Sequence, residues 1–185
     1  WSDYVSEDLL REFERREGVD VVVDTFSSNE ELLAKLQSGA IGYDVAVPSD
    51  FMVSIMMRLD LLAELLPERI GNLGLLEPHL AALPFDPAHR YSVPYLWGTV
   101  GIGYDADVLP AAPDSWEVLW DQRYAGRISM LNDQREVLGV ALRSMGESIN
   151  SVDRTVIERA KRKLIEQKPL VKAYTSETYD QLLAS

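Results

Sequence analysis

Residues 19–26 read Val19-Asp20-Val21-Val22-Val23-Asp24-Thr25-Phe26, and residues 27–36 read Ser27-Ser28-Asn29-Glu30-Glu31-Leu32-Leu33-Ala34-Lys35-Leu36. The first stretch is β-branched and apolar enough for a buried parallel strand. The second opens on a capping box, Ser28 to Glu31, and places Leu32, Leu33 and Leu36 at helical spacing up to Gly39. Upstream, Ser6 stands where a helix is capped, Leu9, Leu10 and Phe13 form its apolar face, and Gly18 stops it. Downstream, Tyr43-Asp44-Val45-Ala46-Val47 is a short strand ended by Pro48, and Asp50 starts a helix that runs to Met57. The order is therefore α, β, α, β, α. Parallel strands joined this way cross over right-handed, and ligands bind beyond their carboxyl ends. The loop Val47-Pro48-Ser49-Asp50-Phe51 lies at such an end.

Residues 59–86, rich in Leu and Pro, carry no clear period. Residues 91–104 are aromatic, β-branched and glycine-spaced, which predicts extended strands and places a lobe boundary there: a first lobe over 1–95, a second over 96–185. In the second, Ser115 caps a short helix holding Trp116, Leu119 and Trp120, and a strand covers 127–131. Helices follow over about 133–145 and 155–167, then a strand over 170–174 and a helix from Ser176. The fold class is α/β, with mostly parallel sheets flanked by helices. Trp97, Trp116 and Trp120 are expected in the core.

The chain has 185 residues, 46% of them hydrophobic and 26% charged, as in ordinary globular proteins. It has no apolar run long enough to span a bilayer and no leader-like start at Trp1, a feature that does not argue for the cytoplasm. No cysteine is present, so disulfides and thiolate metal sites are excluded. A net charge of -12 opposes nucleic acid and anionic membranes and raises the local concentration of cations; it also serves plain solubility.

His79 and His89 lack metal-ligand spacing, and neither a metal nor a cofactor is expected. Gly101 and Gly103 lack the third glycine of a dinucleotide fingerprint, and no serine stands in a nucleophile elbow. Asp133 and Glu136 stand at i and i+3 where a helix follows a strand. Three readings fit that spacing: an N-cap with its N3 carboxylate, an ammonium-binding pair, or an acid pair for glycoside hydrolysis. Trp1, Tyr4 and Phe51 each have a carboxylate within three residues. Aromatic walls with acids at the ends suit a linear polyamine, whose ammonium groups need carboxylates and whose methylenes gain from ring faces.

Several motifs resemble those of the spermidine/putrescine-binding extracytoplasmic proteins of ABC importers, a periplasmic-binding-protein-like family. They are Trp1-Ser2-Asp3-Tyr4-Val5, Val47-Pro48-Ser49, Pro84-Phe85-Asp86-Pro87, the run from Tyr91 through Trp97-Gly98-Thr99, and Asp133-Gln134-Arg135-Glu136-Val137. They occur in the family's order along the whole chain. The resemblance implies a two-lobe binding protein that closes around a polyamine, delivers it to a membrane permease and performs no bond chemistry. It implies a periplasmic or extracytoplasmic, membrane-associated location.

By the same resemblance Trp1 and Tyr4 wall the ligand beside Ser2 and Asp3. Ser49 sits at the pocket loop, with Asp50 and Phe51 next to it. Asp133 and Glu136 grip an amine. Phe51 departs from the family's tyrosine, keeping the wall and losing the hydroxyl. The family is longer, which implies a chain cut short at both ends, with a weakened site and exposed sheet edges that favour homo-oligomers. The alternatives are an interaction module without ligand, a binding protein for another small solute, and a hydrolase using Asp133 and Glu136.

Overall fold

The computed structural model describes residues 1, 4–39 and 42–184. The chain divides into two compact units, Trp1–Gly98 and Thr99–Ser185.

The first unit carries three helices: α1 (Glu7–Glu17), α2 (Asn29–Gln37) and α3 (Asp50–Arg58). Helix α1 ends at Gly18 in the left-handed conformation (φ 68°), whose N–H donates to Glu14 O, the closing device expected of a glycine there. Ser6 holds the N-cap position, yet its hydroxyl makes no capping bond. The apolar face of α1 is not buried: Leu9 and Phe13 are exposed. Helix α2 starts as its capping box predicts, with Ser28 Oγ accepting from Glu31 N–H at 3.2 Å. Glu31 reaches back one residue further than that motif, accepting from Ser27 N–H (2.9 Å) and Ser27 Oγ (2.8 Å). The Ser27 N–H, then its hydroxyl, then Lys35 hold the Glu31 carboxyl below its ordinary value. Among the described residues of this unit, Phe26, Leu32, Met52, Val53 and Met56 are the buried apolar side chains.

The strands expected over 19–26 and 43–47 belong to no ladder among the described residues. Val22 is 92% exposed and Val45 80%. A β-branched run favours extended backbone, but only a neighbour's N–H and C=O groups make it a strand. These two segments are tied by side chains instead. Tyr43 Oη donates to Asp24, and Lys35 Nζ lies 3.3 Å from the same carboxylate. The Tyr43 hydroxyl first, then Lys35, lowers the Asp24 carboxyl from its usual range. Residues 91–104 are likewise outside any ladder, and Trp97, expected in the core, is 71% exposed. Residues 59–86 form 3-10 turns (Pro67–Arg69 and Gly71–Leu75) and loops.

In the second unit, β1 (Ile128–Met130) pairs parallel with β2 (Val171–Tyr174), across a connection that holds α4 (Gln134–Ser144) and α5 (Arg154–Gln167). A crossover of this length is what a parallel pair requires. The short helix α6 (Tyr179–Leu183) closes the unit. Ile128, Met130, Val140 and Leu170 form one buried cluster; Ala141, Leu142 and Ala160 form another. Trp120, in the 3-10 turn Trp116–Trp120, packs against both. Its Nε1 donates to Lys163 O at 2.8 Å, and the Lys163 ammonium sits 4.7 Å from its ring centroid. The alanines let α4 and α5 approach closely, since helix separation follows side-chain size. Among the described residues no helix is long and apolar enough to cross a membrane.

Candidate functional site

The singled-out residues fall into two sets, one on each unit. On the first, Trp1 is half-buried, its ring 4.9 Å from that of Phe26 and 6.3 Å from that of Tyr4. Tyr4 is 53% exposed. Tyr95 Oη donates to Tyr4 O at 2.6 Å, which fixes this end of the chain against the segment after Pro94. The result is a partly open aromatic surface. Such faces suit methylene chains and attract cations by about 0.5–2 kcal/mol per ring. Ser2 and Asp3 lie outside the described residues.

Ser49 takes the N-cap position of α3 (φ -70°, ψ 159°). Its hydroxyl does not cap the helix. The buried Asn29, first residue of α2, holds it instead: Asn29 Nδ2 donates to Ser49 Oγ at 3.1 Å, and Asn29 Oδ1 accepts from Ser49 N–H at 2.9 Å. Asp50 and Phe51, read both as the end of the pocket loop and as the start of a helix, are the first turn of α3. Ser49 is where the backbone leaves the extended region, so the helix starts at Asp50 as the sequence predicts. Asp50 is exposed and its Oδ1 accepts from Phe51 N–H at 2.6 Å; Phe51 is half-buried.

On the second unit Asp133 is buried and caps α4, Oδ1 accepting from Arg135 N–H (2.9 Å) and Glu136 N–H (3.0 Å). Glu136, half-buried, stands one turn into the helix. Arg135 between them donates to Asn150 Oδ1 at 2.8 Å. The capping reading of the spacing is thus realised in the geometry. A carboxylate at this helix end also complements the positive pole of the helix dipole.

Phe26, Asn29 and Tyr95 are the members that sequence reasoning missed. Phe26 ends the segment 19–26, expected as a strand, and that position at a strand's carboxyl end was the available signal. Nothing local marks Asn29, whose partner is 20 residues away.

A cleft of about 580 Å3 lies elsewhere on the second unit, between Trp120, Met145 and α5, and presents Arg159, Arg162 and Lys163 beside Glu117. Glu166 lines it too, and Lys163 pairs with Glu117 and Arg159 with Glu147, so its carboxylates are largely occupied by the chain's own cations. Among the described residues no group of three or more His, Asp or Glu side chains is arranged to hold a metal ion.

Residues 8–185 match the family model of the bacterial extracellular solute-binding proteins. The chain belongs to that family. Within it, the chain is 36% identical over 179 residues to the spermidine/putrescine-binding periplasmic protein of Escherichia coli, covering 96% of this chain and 51% of that one. It is 34% identical over 186 residues to a putrescine/cadaverine-binding protein of Pseudomonas aeruginosa, covering 97% and 52%. A solved chain described as a spermidine/putrescine ABC transporter of Listeria monocytogenes superposes with a TM-score of 0.92 at 36% identity, over 100% of this chain and 57% of that one. A lipoprotein of Treponema pallidum gives 0.85 at 36% identity, over 97% and 57%. The chain spans about half the length of the curated relatives it matches. The expected fold class, a periplasmic-binding-protein-like α/β architecture, agrees with these superpositions.

Proposed function

We propose that this chain binds a linear polyamine of the putrescine–spermidine class, outside the cytoplasm, as the solute-recognition part of an ABC importer. Binding makes and breaks no covalent bond; the polyamine passes to a membrane permease. The observation that carries this reading is the 36% identity, along 96% of the chain, to a protein named for spermidine and putrescine binding. The two residue sets supply the matching chemistry. The first unit offers flat apolar faces at Trp1 and Tyr4, with the Ser49 hydroxyl and the Asp50 carboxylate near Phe51. The second offers Asp133 and Glu136. Ser2 and Asp3 belong to the proposed set by their place in the motif Trp1-Ser2-Asp3-Tyr4.

A second reading has its own observation. The segments 19–26 and 43–47, expected as strands, expose Val22 and Val45 and lie outside any ladder among the described residues. Exposed strand-like backbone of this kind pairs with other chains, so the chain would self-associate, with or without ligand. Calorimetry with putrescine and spermidine, joined to sizing chromatography of the same sample, separates the readings. Saturable heat from a polyamine supports the first reading. An oligomer that gives no heat supports the second and removes the first.

A further inference from the structure

We propose that Asn29 is a positioning residue that turns the start of α3, an element suited to anions, into an acceptor for an ammonium group. The inference rests on the polyamine reading above and names a part of its machinery. A helix N-terminus leaves backbone N–H groups without partners and carries partial positive charge, so it draws anions and opposes cations. A loop that meets an ammonium at such a place must hide its donors and show its acceptors.

The start of α3 shows its acceptors and hides three of its four first donors, those of Ser49, Phe51 and Met52. Ser49 N–H, the outermost of these donors, is taken by Asn29 Oδ1 at 2.9 Å. Phe51 N–H is taken by Asp50 Oδ1, and the N–H groups of Met52 and Val53 both donate to Ser49 O at 3.0 Å. The Ser49 hydroxyl would ordinarily cap the helix, with its oxygen turned to the N–H groups of the first turn. Here Asn29 Nδ2 donates to that oxygen at 3.1 Å and holds it off the helix. A hydroxyl oxygen has two lone pairs. One is occupied by Asn29, and the second accepts an N–H from the ligand. The orientation of the amide follows from chemistry: Ser49 N–H only donates, so the Asn29 oxygen must face it and the nitrogen must face the hydroxyl. Asn29 has no exposed surface, so it acts on a ligand through Ser49 and not by touching it.

The test measures two things on wild type, Asn29→Ala, Asn29→Asp and Ser49→Ala: the putrescine dissociation constant and the hydrogen exchange of the Ser49 amide. Asn29→Ala should speed exchange at Ser49 and weaken putrescine about tenfold or more, the size of one lost hydrogen bond plus an exposed donor. Asn29→Asp keeps an acceptor for Ser49 N–H. Its second oxygen can accept from the Ser49 O–H and so still hold the hydroxyl off the helix with its lone pairs free; exchange should stay slow and binding should survive. Ser49→Ala should weaken putrescine while leaving its own amide protected. A residue that merely supports the fold predicts otherwise: both Asn29 variants would lose affinity in step with their melting temperatures. If wild type binds and Asn29→Ala binds equally well, the positioning role is overturned and the polyamine reading stands. If wild type binds no polyamine, both fall. If Asn29→Ala does not fold, loss of binding in Asn29→Asp with slow Ser49 exchange overturns the role.

Discussion

Replacing Asp86 by alanine should lower the unfolding midpoint of the first unit by more than about 10 °C at pH 7. Asp86 is 3% exposed and gathers the chain that follows it. Its Oδ1 accepts from Arg90 N–H (2.9 Å), and its Oδ2 accepts from Tyr91 N–H (2.9 Å), Ser92 N–H (2.8 Å) and Ser92 Oγ (3.0 Å). Nearby, His89 lies between the carbonyls of Ser92 and Ala81 in a turn with φ 50°. Alanine would leave three backbone donors without their acceptor. At about 1–3 kcal/mol for each unsatisfied buried group, a loss of about 3–9 kcal/mol is expected. For a unit of this size each kcal/mol moves the midpoint by about 4–8 °C.

The same geometry sets a pH dependence. Burial raises the Asp86 carboxyl, but the N–H groups of Tyr91 and Arg90, with the Ser92 hydroxyl and N–H, outweigh it and hold the group below its ordinary value. A depressed carboxyl contributes stability in full above its unfolded value, about 3.9, and loses it as pH falls through the lower folded value. Melting curves of wild type and Asp86→Ala should therefore lie far apart at pH 7 and draw together below about pH 3. Equal separation at both values would mean that the carboxylate charge is not what gathers these donors.

The second large effect concerns the ligand. Asp133→Asn should raise the polyamine dissociation constant about 100-fold and leave the second unit's stability within about 0.5 kcal/mol. Asparagine caps a helix as well as aspartate does, so its side-chain oxygen keeps the bonds to Arg135 and Glu136 N–H. What disappears is the charge, and a hydrogen bond to a charged group is worth about 1.5–3 kcal/mol, close to 100-fold in affinity. The substitution thereby separates the observed cap from the cation-binding role proposed for the same carboxylate. Unchanged affinity would reduce Asp133 to a cap.

What the sequence made legible was local. The capping box at Ser28 and Glu31, the cap at Asp133 and the stop at Gly18 each depend on residues within four positions, and the helices start and end where those signals stand. The aromatic company of Trp1 and Tyr4 was visible for the same reason. Non-local pairing was not legible. The valines of 19–26 announce extended backbone, but strand formation depends on a partner that no local pattern specifies. Trp97 was assigned to the core on residue type, whereas burial is decided by what packs on it. The clamp of Asn29 on Ser49 joins positions 20 apart, and the Phe26–Trp1 contact joins an expected core residue to an expected site residue. The fold class and family were carried by several short motifs in order, each weak alone.

The most direct test of the account is a thermal-shift titration of the unmodified chain with putrescine, spermidine and spermine, against magnesium chloride at matched ionic strength. A ligand at 100 times its dissociation constant adds about 2.7 kcal/mol of stability. The account predicts a saturable rise of several degrees with at least one polyamine and none with magnesium. No rise with any polyamine, or an equal rise with magnesium, would contradict it, because acidic surface charge alone would then explain whatever cations do to this chain.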